Sequence, residues 1–507
     1  MSKSRTDYAR SNIIHGCINK MVALGLPFII RTIILYSLGS KYLGLDSLFT
    51  SILQMLNLAE LGFSSAVVFC MYKPMAKNDT DTICALLNFY RTVYRIIGVV
   101  VLGIGLLIMP FLDILIKDDV PDDINIYSLY LIFLINTVLG YLLYSYKSSI
   151  LIASQRSDIT SYVNTVIIFI QSAIQVVVVI LFKNYYIYII IMPIFTIINN
   201  LVIAYITSKR YPQYVCKGKL SSELLHDLKF KISGLMISKF CVTSRNSMDS
   251  IIISSFAGLT QVAMYGNYYY IMAAVHSVLS IITKSISASV GNSIATESRE
   301  KNYKDMMKFV FLYSWLAGIC ATCLLNIYQP FVKIWAGEKM MFPVEIVIAF
   351  VIYFFSLTLG DVRTIYMTGA GLWWEGRYRS VAETITNLVL NIVLGKTFGI
   401  IGVICATIIS ILVINFGYGS HILFKYYFQN NKTKNYFLLQ IYSYIVVIIS
   451  CFATWVGCSF VTIEGVIGLI FRAVICLIIS NVIYVIFYFK LPVFKDSVDL
   501  LKKILKR

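Results

Sequence analysis

The sequence predicts an all-α, polytopic integral membrane protein with about 14 transmembrane helices, and three observations predict this class. The 507 residues are 58% hydrophobic and only 13% charged, whereas a soluble domain has about 45–50% apolar and about 25% charged residues. The apolar residues fall in long runs, and a helix needs about 20 of them to cross a bilayer. The basic residues lie mainly on one side of those runs, as in membrane proteins of fixed orientation.

The apolar runs place each span in order. They predict transmembrane helices at 14–38, 47–71, 90–116, 127–152, 159–182, 185–207, 234–257, 264–291, 309–334, 344–368, 380–396, 399–424, 437–461 and 466–489. The segment 380–396 is the shortest of them. Barrel strands would alternate apolar and polar residues in segments of about ten, and these runs do not alternate. Helical spans are therefore predicted throughout.

The distribution of Lys and Arg sets the orientation. When the loops are assigned alternately from an inside N-terminus, 27 Lys and Arg residues lie inside and six lie outside. This asymmetry follows the positive-inside rule and predicts that both termini are cytoplasmic. The net charge of +18 is then a consequence of topology, and no nucleic-acid partner is predicted.

Two pairs of similar segments predict an internal duplication. Pro110 in the third span and Pro330 in the ninth have similar neighbours, as do Gly39 after the first span and Gly258 after the seventh. Repeated halves are common in transporters, whose substrate site lies between the halves near the bilayer midplane. The predicted organisation is an N-terminal six-helix bundle at 1–207, a cytoplasmic amphipathic linker at 208–233, a pseudo-symmetric C-terminal six-helix bundle at 234–424, and two additional transmembrane helices with a basic cytoplasmic tail at 425–507.

Charged residues inside the spans are the candidate functional residues. A charged side chain at the centre of a transmembrane helix costs about 2.5–3.5 kcal/mol on insertion scales, so it generally faces a wet cavity or a partner. The excess of cations indicates an anionic substrate such as a phosphate. Carboxyl groups in the same spans are candidates for coupling to a proton or a sodium ion, because burial raises a carboxyl pKa. The predicted substrate-binding residues are Arg31, Lys239, Arg245, Lys284 and Arg363, and the predicted ion-coupling residues are Glu60, Asp249 and Asp361.

Several of these residues also have a purely structural interpretation. Arg245 and Asp249 are four residues apart and can form an ion pair along one helix. Glu60 can pair with Arg31 instead of binding an ion. A single histidine in a span, His276, is more often a packing residue than a ligand. The eleven cysteines are scattered, without the spacing of a metal site, so neither a metal nor a cofactor is predicted.

Five segments in a fixed order resemble a known family. They are Leu38–Leu45, Leu58–Ala66, Asp249–Gly258, Ser289–Ala295 and Phe398–Thr407. In sequence and order these segments are similar to those of the polysaccharide-biosynthesis flippases, the O-antigen or Wzx-type family of the multidrug/oligosaccharidyl-lipid/polysaccharide (MOP) superfamily. The resemblance covers essentially the whole chain.

The resemblance implies two bundles of six helices around a cavity that opens alternately to the two sides of a bacterial cytoplasmic (inner) membrane. The implied activity is not enzymatic: an oligosaccharide on polyprenyl pyrophosphate is moved from the cytoplasmic to the outer leaflet for cell-surface polysaccharide biosynthesis. The implied partners are the lipid-linked oligosaccharide, membrane lipids and other membrane proteins of polysaccharide assembly. Family cavities carry cations on spans one, two, seven and eight, and here span two has Glu60 instead.

Two alternative functions stay open on the sequence alone. A multidrug or cation antiporter of the same superfamily would share the fold, although its substrates are usually cationic and the charges here are mainly basic. A membrane polysaccharide polymerase or ligase would be an enzyme. Such enzymes tend to carry a large outside loop with Arg and His, and no such loop is predicted in this chain.

Overall fold

The computed structural model describes residues 5–57, 63–117, 120–222, 225, 241, 243–245, 247–372, 374–429 and 432–505. Within these ranges every regular element is a helix. The chain packs as two compact units, Met1–Ala263 and Met264–Arg507. The boundaries predicted at 207 and 233 lie within the first unit and remain a prediction.

The first unit is built from nine described helices and the start of a tenth. Two 3₁₀ turns, Met109–Phe111 and Ser145–Lys147, lead into the short helices α5 and α7. Residues 247–257 are also helical. The helices are α1 (Arg5–Ser37), α2 (Ser40–Leu56), α3 (Phe63–Ala76), α4 (Thr80–Ile108), α5 (Leu112–Leu115), α6 (Ile126–Leu142), α7 (Ser148–Ala153), α8 (Ser157–Phe182), α9 (Tyr185–Arg210) and α10 (Leu259–Thr296).

The second unit begins within α10 and continues to the C-terminus. Its further helices include two π-helical segments, Ile411–Tyr418 and Phe424–Phe428. The α-helices are α11 (Arg299–Ala336), α12 (Val344–Gly369), α13 (Arg377–Ser410), α14 (Gly419–Leu423), α15 (Thr433–Ser459), α16 (Gly465–Tyr488) and α17 (Pro492–Leu505).

Ten helical runs among the described residues are long and apolar enough to cross a membrane, or up to 11 if the bent pair Ile126–Leu142 and Ser145–Ala153 forms one span. The prediction of an all-α polytopic membrane protein is therefore confirmed, whereas the number of 14 spans is not. Predicted spans 47–71 and 234–257 include residues outside the described ranges. Predicted spans 380–396 and 399–424 lie in one helical run, Arg377–Phe428.

Two of the long helical segments are bent at a residue with positive φ. Tyr144 has a φ of 54° and lies in the break where the bent pair turns by 45°. Gly399 has φ 62° and ψ −138° inside α13. A left-handed residue interrupts the helical hydrogen-bond pattern, and glycine adopts it without a steric penalty. The bend at Gly399 falls at the predicted boundary between 380–396 and 399–424.

The two glycines of the predicted repeat have the same backbone conformation. Gly39 precedes α2 with a φ of 114°, and Gly258 precedes α10 with a φ of 86°. Both positions lie in the region that favours glycine, so each glycine allows a sharp turn into the following helix. The two glycines thus share a positive φ, and the duplication and the two bundles remain a prediction.

These two turns pack against each other within the first unit. A Cβ atom at Gly44 would lie 2.2 Å from the carbonyl oxygen of Leu259, so α2 and the start of α10 approach at backbone distance. The carbonyl of Phe256, three residues before Leu259, accepts a hydrogen bond of 2.7 Å from the Lys117 ammonium. Gly44, between spans one and two, thus lies against the start of α10, and Lys117, after span three, contacts the end of the predicted span 234–257.

Polar side chains cap the N-termini of several helices. The side chains of Asp79, Asn125 and Asn184 accept hydrogen bonds from the first turns of α4, α6 and α9. Ser298 caps α11 in the same way. An N-cap side chain satisfies a backbone N–H that the helix leaves without a partner, which stabilises the helix by about 0.5–2 kcal/mol.

Each unit has its own packing centre. In the first unit α1 packs along α8, and α6 and α8 both pack on α9. In the second unit α11 and α12 are the most enclosed spans, with 56% and 61% of their apolar windows buried, against 17% for α16. The outer faces of the less buried helices carry exposed Ile, Leu, Val and Phe side chains, which are suited to contact with lipid.

The predicted cytoplasmic linker at 208–233 is only partly described. Residues 211–221 follow α9 as turns and irregular backbone. The Asn88 side chain donates a hydrogen bond of 2.9 Å to the carbonyl of Gly218 and so ties this stretch to α4. The amphipathic helix predicted for the later part of the linker lies largely outside the described residues.

Candidate functional site

The structure describes six of the eight predicted site residues. Glu60 and Lys239 lie outside the described ranges, so their predicted roles stay predictions. The described residues are Arg31 on α1, Arg245 and Asp249 before α10, Lys284 on α10, and Asp361 and Arg363 on α12. Arg31, Arg245 and Asp249 belong to the first unit, and Lys284, Asp361 and Arg363 belong to the second.

Arg31 lies in a polar cluster of the first unit. Both terminal nitrogens of its guanidinium approach the Ser47 hydroxyl, at 3.4 and 3.5 Å. Asp46 interacts electrostatically with Arg31 and with the hydroxyl of Tyr185. Tyr185 is fully buried and stacks on Tyr188, with ring centroids 5.5 Å apart. Arg31 is therefore balanced by a carboxyl group and framed by tyrosines.

Asp46 is a site residue that the sequence analysis did not identify. It precedes the first residue of the predicted span 47–71, so it was assigned to the outer loop. The structure extends the helix outward to Ser40, which places Asp46 on α2 among buried residues such as Leu45 and Leu48. The available signal was an acidic residue with apolar residues on both sides, which is unusual for a solvated loop.

A second contact anchors the start of α2 in the first unit. The Tyr42 hydroxyl donates a hydrogen bond of 2.5 Å to a carboxyl oxygen of Asp123, in the loop before α6. Partial burial and the neighbouring Asp123 raise the pKa of Tyr42 to about 12. The Tyr42 ring also packs edge-on against Tyr185, with centroids 5.3 Å apart. This end of α2 is thus fixed beside the Arg31 cluster.

Arg245 and Asp249 are both buried, with exposed fractions of 4% and 1%. They are separated by one helical turn, which places them on the same face. Each takes part in polar or electrostatic interactions with the rest of the chain. The predicted ion pair between them, and their roles in substrate binding and ion coupling, stay predictions.

In the second unit, polar side chains from two helices contact the carboxylate of a third helix. The Tyr313 hydroxyl of α11 donates a hydrogen bond of 2.6 Å to Oδ2 of Asp361 on α12. Nε2 of His276 on α10 lies 3.0 Å from the same oxygen. The side chains of His276 and Asp361 are each 24% exposed. The lone histidine of the sequence analysis therefore has a partner, which its position in the sequence did not reveal.

Lys284 lies two turns after His276 on α10 and its side chain is exposed. The intervening Thr283 is buried and donates a hydrogen bond of 3.0 Å to the carbonyl of Ser280. An exposed ammonium within a predicted span is available to an anionic ligand. This arrangement is compatible with the predicted role of Lys284 in substrate binding, which remains a prediction.

Arg363 has no exposed surface and is held by the π-helical segment Ile411–Tyr418. Its guanidinium donates a hydrogen bond of 2.6 Å to the side-chain oxygen of Asn415. It also donates to the backbone carbonyls of Asn415 and Phe416. The planar guanidinium can donate hydrogen bonds to several acceptors at fixed positions, whereas the ammonium of lysine acts as a compact point charge. In this conformation the guanidinium is directed at protein groups, and its predicted role in substrate binding remains a prediction.

Two charged residues of α13 complete the network around Arg363. The Asn415 amide donates a hydrogen bond of 2.8 Å to Glu383, and Arg379 lies 3.8 Å from the same carboxyl group. Glu383 is 3% exposed. The sequence analysis did not identify Arg379 and Glu383, because they lie at the inner end of the shortest predicted span. Their spacing of four residues indicates that they lie on the same face of a helix and can pair.

No group of three or more His, Cys, Asp or Glu side chains suited to a metal occurs among the described residues. The arginine and lysine side chains of these clusters can bind anions, and the His and Asp side chains can exchange protons. Among the described residues, the predicted site residues Arg31, Asp361 and Arg363 each lie in a polar cluster, and Asp361 also acts electrostatically on Arg363.

Two solved structures share this fold along most of their length. The lipid II flippase MurJ in an inward closed conformation matches with a TM-score of 0.65 at 14% identity, covering 95% of this chain and 99% of that one. A multidrug resistance MATE family transporter of the MOP superfamily, in an inward-facing conformation, matches with a TM-score of 0.61 at 14% identity, covering 81% of this chain and 97% of that one.

A curated relative extends over most of the sequence as well. An uncharacterized membrane protein of Methanocaldococcus jannaschii is 23% identical over 464 residues, which is 88% of each chain. No family model matches the chain. The chain is thus a multi-pass membrane protein with the all-α fold that the lipid II flippase and the MATE transporters of the MOP superfamily share.

Proposed function

We propose that this protein is a secondary transporter that flips an oligosaccharide linked to polyprenyl pyrophosphate from the cytoplasmic to the outer leaflet of a bacterial cytoplasmic membrane. Transport would proceed by alternating access and serve the biosynthesis of a cell-surface polysaccharide. The observation that carries the proposal is the fold shared with a lipid II flippase over 95% of this chain. A flippase for a lipid-linked glycan must accommodate an anionic headgroup, a glycan and an apolar tail.

The charges in the spans support an anionic headgroup. A pyrophosphate is bound by arginine through paired hydrogen bonds and by lysine as a point charge. Arg31, Lys239, Arg245 and Lys284 are the proposed ligands on the first span of each predicted half and on span eight, with Arg363 as a further candidate. Lys284 is exposed and Arg31 is half-buried, which leaves both side chains within reach of a ligand.

An ion gradient is the proposed source of energy. Glu60, Asp249 and Asp361 are the proposed coupling groups for a proton or a sodium ion. Asp249 is buried and Asp361 is partly exposed, and both lie in predicted spans. Carboxyl groups at such positions exchange between a charged and a neutral state at a cost that the bound ion can offset.

The MATE transporter favours a second candidate function, export of drugs or other cations. The multidrug transporter covers 81% of this chain, less than the flippase does. The difference in coverage is comparable with the length of the last three helices, α15 to α17. Cationic substrates would also be repelled by the basic side chains of spans one, seven and eight.

The test is flipping of a fluorescent polyprenyl-pyrophosphate-linked oligosaccharide in proteoliposomes. We expect the wild-type protein to make the label in the inner leaflet accessible to a membrane-impermeant quencher. Replacing a cation that binds pyrophosphate removes a charged hydrogen bond worth about 1.5–3 kcal/mol, which corresponds to roughly a tenfold or larger loss in rate. The variants are Arg31→Ala, Lys239→Ala and Lys284→Ala.

Lys339→Ala is the matched control, because Lys339 is an exposed lysine of the outer loop. It should flip at the wild-type rate. Wild-type rates in all three span variants would remove these residues from the substrate site. Transport of a cationic drug without any flipping of the lipid-linked glycan would favour the multidrug alternative.

A further inference from the structure

The cluster around Asp361 contains a histidine that the proposed substrate site does not use. His276, Tyr313 and Asp361 come from three different helices and meet at a single carboxylate oxygen, at 3.0 Å from His276 and 2.6 Å from Tyr313. All three lie within predicted spans, at 264–291, 309–334 and 344–368. Three polar side chains converging at this depth are a specific arrangement, since polar groups in a span need partners.

The contacts around Oδ2 of Asp361 fit an ionised carboxylate. An ionised aspartate only accepts hydrogen bonds, and Oδ2 can accept one from the Tyr313 hydroxyl and one from an imidazole N–H. With Nε2 of His276 donating to Asp361, Nδ1 remains as the nitrogen that can take a second proton. The cluster then has two states, an aspartate beside a neutral imidazole and an aspartate beside an imidazolium. Their net charges are minus one and zero.

The surroundings of His276 allow this exchange. From α11, Tyr313 and Cys320 face the cluster, and from α12 Asp361 is accompanied by Arg363. Arg363 donates to carbonyl and amide oxygens of its own network, so its charge is shared with other acceptors. His276 and Asp361 are each 24% exposed, so water can deliver a proton. Histidine is the side chain that normally changes charge near neutral pH.

We propose that His276 is the proton-carrying group of the transport cycle, with the proton bound at Nδ1 and Asp361 held as its ionised partner. The inference rests on the proposed function, which it deepens by naming the coupling ion as a proton. Tyr313 is a positioning residue, because its hydroxyl fixes the carboxylate that orients the imidazole. Proton binding makes the cluster neutral, and proton loss restores its negative charge. The charge of the cluster thus differs between the loaded and empty states.

The first experiment measures the proton on His276 without any substrate. The chain has only four histidines, so ¹⁵N-histidine labelling of the reconstituted protein gives few signals, and the one absent in His276→Gln belongs to His276. We expect that signal to change between neutral imidazole and imidazolium as the pH is varied around neutrality. A His276 signal that does not titrate would overturn the inference.

The second experiment asks whether the proton drives transport. The labelled lipid-linked oligosaccharide is allowed to equilibrate in proteoliposomes under a pH gradient of about one unit. If one proton moves against each lipid, the label should accumulate about tenfold in the leaflet facing the acidic compartment, and the direction should reverse with the gradient. His276→Gln should still equilibrate the lipid but should lose this accumulation.

His421→Gln is the matched control, because His421 is an exposed histidine on α14 outside the cluster. It should accumulate the lipid as the wild type does. Tyr313→Phe should weaken the accumulation without abolishing flipping, since it removes the hydrogen bond and leaves the titrating group. Accumulation retained in His276→Gln would overturn the inference while leaving the flippase intact. Absence of any flipping by the wild type would contradict the proposed function, and the NMR titration would still decide the proton site.

Discussion

The fully buried guanidinium of Arg363 is stable because several hydrogen-bond acceptors surround it. The guanidinium is removed from water, which costs several kcal/mol, and its hydrogen bonds to Asn415 and Phe416 offset that cost. Glu383 balances part of the positive charge through Asn415. This residue therefore joins α12 to the π-helical segment by charge as well as by packing.

Replacing Arg363 tests how much this network of hydrogen bonds and charges contributes to the stability of the protein. Arg363→Met should destabilise the protein by about 3–5 kcal/mol, because Glu383 and the carbonyls lose their cation. Arg363→Lys should lose less stability, because lysine keeps the positive charge. It does not fully restore stability, because it lacks the planar set of N–H donors of the guanidinium. The measurement is thermal or denaturant unfolding in detergent.

Arg210→Met, at the exposed end of α9, is the control for the Arg363 variants. It should change stability by no more than about 0.5 kcal/mol. Equal stabilities for Arg363→Met and Arg210→Met would show that the network contributes nothing to folding.

At the residue scale the sequence predicted the charged groups in the middle of spans better than those at their ends. Asp361 and Arg363 interrupt an apolar run, so each was identifiable as a charge in the membrane. Asp46 and Glu383 lie at the ends of predicted spans, where a charge is ordinary. The partner of His276 could not be predicted, because Asp361 is 85 residues away in the sequence and only the fold brings the two together.

The elements of the first unit meet most closely where Gly44 on α2 approaches the start of α10. A side chain there would collide with the carbonyl of Leu259. The contact involves both segments of the predicted repeat, the turn after span one and the turn after span seven.

Gly44→Ala should disturb this contact. Adding a methyl group to a site that is already filled destabilises a protein by about 1–3 kcal/mol, and we expect a lower unfolding temperature in detergent. Gly103→Ala on α4 is the matched control, because a Cβ there would meet no atom within 4 Å. It should be neutral or should stabilise by about 0.4–1 kcal/mol. A Gly44→Ala protein as stable as Gly103→Ala would show that the close approach is absent in the membrane.

The number of spans was harder to predict than their helical nature. Hydropathy identifies an apolar run but not a bend within it, so the sequence did not predict the break at Tyr144 within 127–152. Conversely, Gly399 lies between two predicted spans, and the structure has one helical run there, Arg377–Phe428, which is bent at this glycine. The π-helical segments after Ser410 have no signal in the pattern of apolar residues.

On the scale of the whole molecule, the exposed hydrophobic surface indicates a membrane protein, and the distribution of Lys and Arg predicts its orientation. The described helices expose many large apolar side chains, which a soluble protein would bury. The exposed Lys495 of α17 belongs to the predicted cytoplasmic side, and the exposed Lys339 belongs to the predicted outer side. The sequence predicted this class because apolar runs and positive charges are properties of the chain that need no tertiary structure.

The orientation can be tested with two matched cysteine variants in a background without the eleven native cysteines. Lys339→Cys should react with a membrane-impermeant maleimide in intact cells. Lys495→Cys should react only after the membrane is permeabilised, because cytoplasmic loops carry the excess of Lys and Arg. Labelling of Lys495→Cys alone in intact cells would reverse the predicted topology.

The π-helical segment Ile411–Tyr418 and Arg363 depend on each other. A π-helical turn holds about one residue more than an α-helical turn, and such turns are rare outside functional sites. Arg363 donates hydrogen bonds to two backbone carbonyls of this segment. Loss of the arginine would leave these carbonyls without its donors, and loss of the π-helical turn would leave a buried guanidinium without these acceptors.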